Sequence, residues 1–299
     1  MREEGRGKRE GQTFGGTSAV LRHVNLVRLP HTVFALPFAL VGALLAFRVV
    51  PLSWSRVGWI VGCMVTARSA AMGFNRLVDV SFDARNPRTA MREIPRGAMN
   101  LREASIFVLV SSAVFVFAAT RLGWLCGVLS PVALGIVFWY SLAKRYTAYT
   151  QLFLGLAMAV APVGGWIAAG GGAGPVPWLL GLAIGLWVGG FDVLYACQDV
   201  DFDRGHGLRS IPARFGVAAA IGISRVMHVA TVLAMAALGA AAGLPALYFG
   251  GVAVVAALLV YEQSLVSASD LSQVKRAFDL NGYVGIVYLA STALALYVG

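Results

Sequence analysis

Two clusters of acidic residues interrupt an otherwise strongly apolar chain. The first contains Asp79 and Asp83, and the second contains Asp199 and Asp203 at the same four-residue spacing. On a helix, residues four apart lie on one face, so each cluster would present two carboxylates together. Carboxylates at the edge of a membrane are costly and are functional candidates by default. Paired carboxylates in both halves of the chain indicate a site for divalent metal.

Each acidic cluster is followed by a loop that is rich in arginine. The loop residues are Arg85, Arg88, Arg92 and Arg96 in the first half and Arg204, Arg209 and Arg214 in the second. Mg²⁺ is usually held by one or two carboxylates together with phosphate oxygens of a substrate, and arginines bind the remaining phosphate charge. The pattern therefore predicts Mg²⁺ and a diphosphate in one site. The alternative is that the arginines only anchor the protein and form structural salt bridges with the acids.

Three polar residues, Tyr140, Lys144 and Arg145, close another apolar run. A basic pair at the exit of a membrane helix is usually an anchor. Its predicted position beside both acidic clusters instead favours contact with the diphosphate.

Arg68 is a charged residue within an apolar run. It lies seven residues before Asn75, hence on the same helix face and about 10 Å deeper in the membrane. A charge at that depth must face a polar interior or pair with an acid. Two interpretations stay open: a buried ion pair with Asp192, or a ligand for the diphosphate or for the carboxylate of an acceptor.

The elements that must position these residues are membrane helices. The chain has 299 residues, of which 58% are hydrophobic and 13% charged, which excludes an ordinary soluble domain. Runs long enough to span a bilayer are predicted at residues 31–50, 57–80, 104–121, 123–141, 150–170, 176–199, 217–241, 245–266 and 281–299. The net charge of +10 accompanies no nucleic-acid recognition motif, so we expect no nucleic-acid partner.

The distribution of basic residues predicts the orientation of these helices. With residues 1–21 as a disordered cytosolic tail, only Arg48, Arg56 and Arg121 fall on the opposite side, which is the positive-inside pattern. Both acidic clusters then lie at the cytosolic ends of the second and sixth helices. Equivalent motifs four helices apart predict an internal repeat, helices 1–4 against helices 5–8, with a ninth helix added.

Together these residues resemble the UbiA superfamily of intramembrane aromatic prenyltransferases. That family carries an NDxxDxxxD motif after its second helix and a DxxxD-type motif after its sixth. The matching residues are Asn75, Asp79 and Asp83, then Asp199 and Asp203, with Asp192 and Tyr195 upstream as in the family's YxxxD form. The segments Arg88 to Arg92 and Tyr140 to Arg145 also resemble family signatures. The correspondence covers residues 22–299 as one transmembrane domain.

The resemblance implies nine transmembrane helices around a central cavity with a cytosolic cap, in a bacterial or archaeal cell membrane. It implies Mg²⁺-dependent transfer of a polyprenyl group from polyprenyl diphosphate to an aromatic hydroxy acid, with the active site on the cytosolic side. The expected metal ligands are Asn75, Asp79, Asp83, Asp199 and Asp203. The expected diphosphate ligands are Arg88, Arg92, Lys144, Arg145 and Tyr140. The expected catalytic residues are Asp192, Asp199, Arg68 and Tyr195.

One departure from the family pattern is Arg76, which stands where many members have a second acid. The segments His31 to Phe38 and Arg92 to Pro95 resemble the branch of 4-hydroxybenzoate polyprenyltransferases, which includes enzymes that prenylate 1,4-dihydroxy-6-naphthoate in menaquinone synthesis. The acceptor is therefore open between a benzoate and a naphthoate, with a lipid or haem acceptor as a further alternative. A secondary transporter is the competing class, but acids at helix ends beside arginines disfavour it.

Overall fold

The computed structural model describes residues 26, 36–51, 53–86 and 89–298. In this part the regular structure is helical, with nine apolar helices: α1 (Leu36–Ala46), α2 (Trp54–Val78), α3 (Leu101–Leu122), α4 (Trp124–Tyr146), α5 (Thr150–Ala169), α6 (Val176–Ala196), α7 (Val217–Ala241), α8 (Ala246–Ser264) and α9 (Val274–Val298). Eight of these, α2 to α9, are long and apolar enough to cross a membrane, and α1 is shorter. The predicted all-α membrane fold is confirmed.

Some predictions fall on residues outside the described part. These are the tail at 1–21 and the first five residues of the run predicted at 31–50. Three short helices, Val80–Arg85, Val200–Gly205 and Ile211–Phe215, follow α2 and α6. The cytosolic cap, the internal repeat and the single domain from residue 22 stay predictions.

Helix α4 extends five residues beyond the apolar run that predicts it. The last turn carries Lys144 and Arg145. Basic side chains interact favourably with the carbonyl groups at a helix C-terminus, so the helix continues where the hydropathy pattern stops.

Helix α9 begins at Val274, seven residues before the predicted start. Its first two turns are amphipathic: Val274 and Ala277 are buried, whereas Lys275 and Asp279 form an exposed ion pair with Nζ and Oδ2 3.3 Å apart. A search for apolar runs misses such turns because it averages over both faces.

The core lies between α1 and helices α5 to α9. Its largest buried side chains include Phe38, Trp187, Tyr248 and Tyr288. Helix α6 is central and packs closely against α5. The two backbones approach so closely that a Cβ atom added at Gly155 would overlap the carbonyl oxygen of Gly185. Small residues permit this approach of two backbones within a membrane.

The arginines on the predicted extracytosolic side have structural partners. Arg48 donates to the carbonyl of Ala242 at the end of α7. Arg56 Nη1 donates to the carbonyl of Ala169 at the end of α5, at 2.8 Å. Because helix C-termini carry unpaired carbonyls and partial negative charge, these two arginines serve as helix caps. This accounts for two of the three exceptions to the positive-inside pattern.

Candidate active site

The two membrane helices that carry the acidic clusters break at corresponding aspartates. Asp79 has φ −94° and ψ 3° between α2 and the helix Val80–Arg85. Asp199 has φ −102° and ψ 6° between a 3₁₀ turn that follows α6 and the helix Val200–Gly205. Both backbones lie in the bridge region, which is sparsely occupied and frequent at active sites. The acids of each pair keep their helical spacing, but the first acid of each pair is the N-cap of a short helix and not part of the long membrane helix; the N–H of Asp83 still donates to the carbonyl of Asp79 at 2.8 Å.

Asp79 joins the C-terminal end of α2 to that of α4. Its side chain is almost fully buried, with Lys144 Nζ 3.0 Å from Oδ2 and Arg145 Nη2 3.4 Å from Oδ1. Asn75 Nδ2 also donates to Oδ2, at 3.2 Å. Arg145 donates in addition to the carbonyl of Val78. The basic pair is thus placed beside the first acidic cluster, as its sequence position predicts.

Asp83 is bound by the arginine-rich loop that follows it. Arg92 Nη1 lies 2.6 Å from Oδ1 and 2.7 Å from Oδ2 of Asp83. Arg76 is buried and has Nη1 4.0 Å from Asp83 Oδ2. Thr89 Oγ1 donates to the backbone carbonyl of Asp83 at 3.0 Å. In this half each carboxylate is therefore surrounded by cationic groups.

The second cluster is more accessible than the first. Asp199 and Asp203 are half-buried, whereas Asp79 and Asp83 are buried. Asp203 Oδ2 accepts a hydrogen bond from Ser210 Oγ at 2.8 Å, and Ser210 also caps the helix Ile211–Phe215.

The loop after the second cluster is attached to the end of α4. The backbone N–H of Arg209 donates to the carbonyl of Lys144 at 2.8 Å, and Arg209 Nη1 donates to the carbonyl of Tyr146 at 2.7 Å. Helix α4 therefore contacts both halves of the candidate site.

Charged groups from both halves of the chain lie near Tyr140 in the interior of the site. The charged groups that act on Tyr140 are Arg68, Arg76, Asp79 and Asp192. Asp192 in turn interacts with Asp199 and Asp203. Tyr140, Arg68 and Asp192 lie deep in the bundle, yet each retains some accessible surface. They therefore border an internal space rather than a closed core.

Arg68 does not form the ion pair that was one of its two interpretations. Among the described residues no contact within 4.0 Å joins it to Asp192, and its buried Nε atom has no hydrogen-bond partner. A buried guanidinium nitrogen without an acceptor is costly, which favours a ligand at this position.

The donor chemistry of the site fits Mg²⁺ that arrives with a phosphate substrate. Within the described ranges, no three His, Cys, Asp or Glu side chains converge on one point. Each half instead offers a pair of carboxylates, Asp79 with Asp83 or Asp199 with Asp203. Mg²⁺ is usually bound by one or two carboxylates, and phosphate oxygens and water complete its coordination shell. The buried Nε atoms of Arg92 and Arg145 also have no partner there, so donors for phosphate oxygens are available.

The remaining predicted residues have diverse positions. Arg88 lies outside the described residues. Tyr195 packs its ring against Phe278, with centroids 4.6 Å apart. Sequence reasoning does not single out Phe82, whose ring lies 5.8 Å from Lys144 Nζ and 5.3 Å from Arg145 Cζ. An aromatic residue beside an acidic cluster is too common a pattern to reveal such a cation–π platform.

Comparison with known proteins identifies this arrangement. The model of the UbiA prenyltransferase family matches residues 35–290. The 4-hydroxybenzoate octaprenyltransferase of Citrobacter koseri is 33% identical over 257 residues, which cover 84% of this chain and 86% of that protein. The enzyme of the same name from Alkalilimnicola ehrlichii is 32% identical over 245 residues, covering 81% of this chain and 82% of that protein.

Solved structures agree with these matches. A UbiA homolog from Aeropyrum pernix K1, in its apo form, has a TM-score of 0.82 and 37% identity, and the match covers 89% of this chain and 98% of that one. A UbiA homolog from Archaeoglobus fulgidus bound to GPP and Mg²⁺ shares the fold with a TM-score of 0.71 at 18% identity, over 92% of this chain and 99% of that one. The transporter alternative receives no support. This chain belongs to the UbiA prenyltransferase family and is a multi-pass membrane prenyltransferase.

Proposed function

We propose that this enzyme transfers a polyprenyl group from polyprenyl diphosphate to 4-hydroxybenzoate, or to a similar aromatic hydroxy acid, in quinone biosynthesis. The observation that carries the proposal is the pair of acid-bearing helix breaks, which surround an interior lined by arginines with unpartnered nitrogen atoms. The names of relatives at about one-third identity support the aromatic acceptor.

The diphosphate binds, in this proposal, between the end of α2 and the end of α4. Arg92, Lys144 and Arg145 supply the positive charge, with Arg88 and the hydroxyl of Tyr140 as further ligands. In the structure these cations contact Asp79 and Asp83. Binding therefore requires an exchange of partners, in which the cations move toward phosphate oxygens and the carboxylates become available to metal.

Mg²⁺ would be held by Asn75, Asp79, Asp83, Asp199 and Asp203, and it supplies positive charge that stabilises the departing diphosphate. The GPP and Mg²⁺ seen in the Archaeoglobus fulgidus homolog support this assignment.

The chemistry is an alkylation of the acceptor ring. The bond between the allylic carbon and the bridging oxygen breaks, and the electron pair leaves with the diphosphate. A ring carbon of the acceptor then forms a bond to the allylic carbon. Asp192 or Asp199 accepts the displaced ring proton. The site must exclude water until transfer is complete, because water would convert the allylic cation to an alcohol. The apolar tail would leave sideways into membrane lipid.

Arg68 is the proposed ligand for the carboxylate of the acceptor. It lies deeper in α2 than the metal ligands, it borders the internal space, and its Nε atom has no acceptor among the described residues. Tyr195, one turn after Asp192, would line the acceptor pocket. An anionic ring that enters from the predicted cytosolic side would meet this guanidinium below the diphosphate.

The test is a membrane assay with geranyl diphosphate and Mg²⁺ that offers 4-hydroxybenzoate, 1,4-dihydroxy-6-naphthoate and a glycerol phosphate lipid precursor in parallel. Prenylated hydroxybenzoate is the expected product. Product from the naphthoate alone would mean that the acceptor is a naphthoate and that the enzyme is still an aromatic prenyltransferase. Product from the glycerol acceptor alone would reject an aromatic acceptor. Loss of product on chelation, with recovery on added Mg²⁺, tests the metal.

A further inference from the structure

A second group of polar residues is buried in the bundle, away from the acidic clusters. Glu262 of α8 and Asn281 of α9 are almost inaccessible, and Asn281 Nδ2 donates to Glu262 Oε1 at 3.0 Å. Asn281 Oδ1 accepts from the indole Nε1 of Trp187 on α6, at 2.7 Å. The amide nitrogen also lies within hydrogen-bond distance of the carbonyls of Ala277 and Phe278, at 3.2 and 3.3 Å, and Glu262 gives the shortest of these three contacts, which turns the amide oxygen toward Trp187. One chain of hydrogen bonds therefore links α8, α9 and α6.

Helix α7 adds a second set of contacts to the same stretch of α6. Ser224 Oγ donates to the carbonyl of Gly190 at 2.8 Å, and Gln263 Nε2 donates to Ser224 Oγ at 2.8 Å. The ring of His228 lies so close to Gly190 that a Cβ atom there would overlap it. His228 Nδ1 also lies 4.0 Å from Glu262 Oε2.

Burial of this polar network in a membrane protein costs free energy of folding. Glu262 Oε2, His228 Nε2 and Gln263 Oε1 are buried without a hydrogen-bond partner among the described residues. Apolar side chains of similar size would pack the same helices without that cost. The polar network instead fixes the rotation of α6 about its axis, because hydrogen bonds restrict the rotation of a helix more strictly than apolar contacts do.

The rotation of α6 matters because its opposite side belongs to the active site. Trp187 and Gly190 face the network, whereas Asp192 is displaced from Trp187 by roughly 140° around the helix axis. A turn of α6 about its axis would therefore move Asp192 and Tyr195 within the site.

We propose that Glu262 is a positioning residue for prenyl transfer, which acts through Asn281 and Trp187 on the rotation of α6. Glu262 lies on α8, which carries none of the residues proposed to bind substrate or metal. This inference rests on the proposed roles of Asp192 and Tyr195.

The test compares Glu262→Leu with Glu262→Gln in the full-length protein purified in detergent. Misplacement of reacting groups by about 1 Å can cost on the order of a hundredfold in rate, so we expect kcat of Glu262→Leu to fall by at least about tenfold. The KM for prenyl diphosphate should stay within about twofold, because Arg92, Lys144 and Arg145, the cations proposed to bind it, lie outside α6. Glu262→Gln keeps an oxygen that accepts from Asn281 and should retain near wild-type kcat.

Thr292→Val is the matched control, since it removes a buried hydroxyl from α9 about three turns beyond Asn281. It should leave kcat unchanged. If Glu262→Leu does not fold, Trp187→Phe and Asn281→Leu test the same link, and their double variant should be no slower than the slower single variant.

The inference is overturned if Glu262→Leu keeps kcat within about threefold of wild type, or if Glu262→Gln is as slow as Glu262→Leu. It is also overturned if kcat and the KM for prenyl diphosphate of Glu262→Leu change together, which would indicate a general loss of structure. Asp192→Asn in the same assay separates the two proposals: wild-type turnover of that variant would reject the role of Asp192, whatever Glu262→Leu does.

Discussion

The two acid-bearing breaks share a backbone conformation and differ in what surrounds their carboxylates. In both halves an aspartate, Asp79 or Asp199, is the N-cap of a helix of six residues that follows a membrane helix, and Asp83 or Asp203 lies within that short helix. In the first half, Asp79 and Asp83 are buried against basic side chains. In the second half, Asp199 and Asp203 are half-buried, and Asp203 accepts from a hydroxyl group.

This difference indicates a division of work between the halves. In the proposed mechanism the first half combines metal ligands with the cations that bind diphosphate, and Asp79 also holds α2 and α4 together. The second half presents carboxylates that are more accessible to an incoming metal. Substitution of Asp79 should therefore affect both stability and chemistry, whereas substitution of Asp199 should affect chemistry alone.

The largest expected effect comes from Asp79→Asn and Asp199→Asn. Each should lower turnover at saturating Mg²⁺ by about a hundredfold or more, because a charge that stabilises the leaving group is lost. Asp79→Asn should also cost about 1–3 kcal/mol of stability, since Lys144 and Arg145 lose a buried partner but stay partly solvated. The melting temperature should then fall by roughly 3–10 °C for Asp79→Asn and change little for Asp199→Asn.

Thermal melts and turnover of the two purified variants check this comparison. Equal destabilisation by both substitutions would show that the halves do not differ as described. Turnover within a few-fold of wild type would reject the metal role of that aspartate.

A smaller effect is expected from Arg92→Met, which removes the cation that contacts Asp83. A hydrogen bond to a charged group contributes about 1.5–3 kcal/mol, so the KM for prenyl diphosphate should rise by roughly 10- to 100-fold. Arg96→Met is the control, because Arg96 lies in the same loop, is more exposed and pairs with Glu93 instead of an acid of the site. An equal rise in KM for both variants would mean that the loop acts only through its total charge.

The third prediction uses the position that corresponds to Arg68 in the second half, which is Val188, 120 residues later. At these two equivalent positions the first half has an arginine and the second half has a valine. The substitution Arg68→Val should raise the KM for the aromatic acceptor about tenfold or more, with the KM for prenyl diphosphate unchanged, because a carboxylate loses its charged partner. A rise in the KM for the diphosphate instead would assign Arg68 to the leaving group.

Sequence reasoning found the membrane helices and the acids because both depend on composition and short spacing. It placed Lys144 and Arg145 beside both acidic clusters, because the predicted topology brings the ends of α2, α4 and α6 to one side. It missed the breaks at Asp79 and Asp199, since four-residue spacing is the same whether or not the helix is interrupted between the acids. The Glu262 network was equally invisible, because its members come from four helices and share no motif.

The smallest effects are expected when the hydroxyl groups of Ser210 and Thr89, one in each loop, are removed. Ser210 Oγ donates to the carboxylate of Asp203, so Ser210→Ala should raise the Mg²⁺ concentration for half-maximal rate by about three- to tenfold, which corresponds to a net hydrogen bond of roughly 1 kcal/mol. Thr89 Oγ1 donates to the backbone carbonyl of Asp83 and not to its carboxylate, so Thr89→Val should lower the melting temperature slightly and leave the Mg²⁺ dependence unchanged. Mg²⁺ titrations of both variants decide the matter. If Thr89→Val shifted the Mg²⁺ dependence as strongly as Ser210→Ala, loop stability would control metal binding in both halves, and the hydroxyl on Asp203 would have no special role.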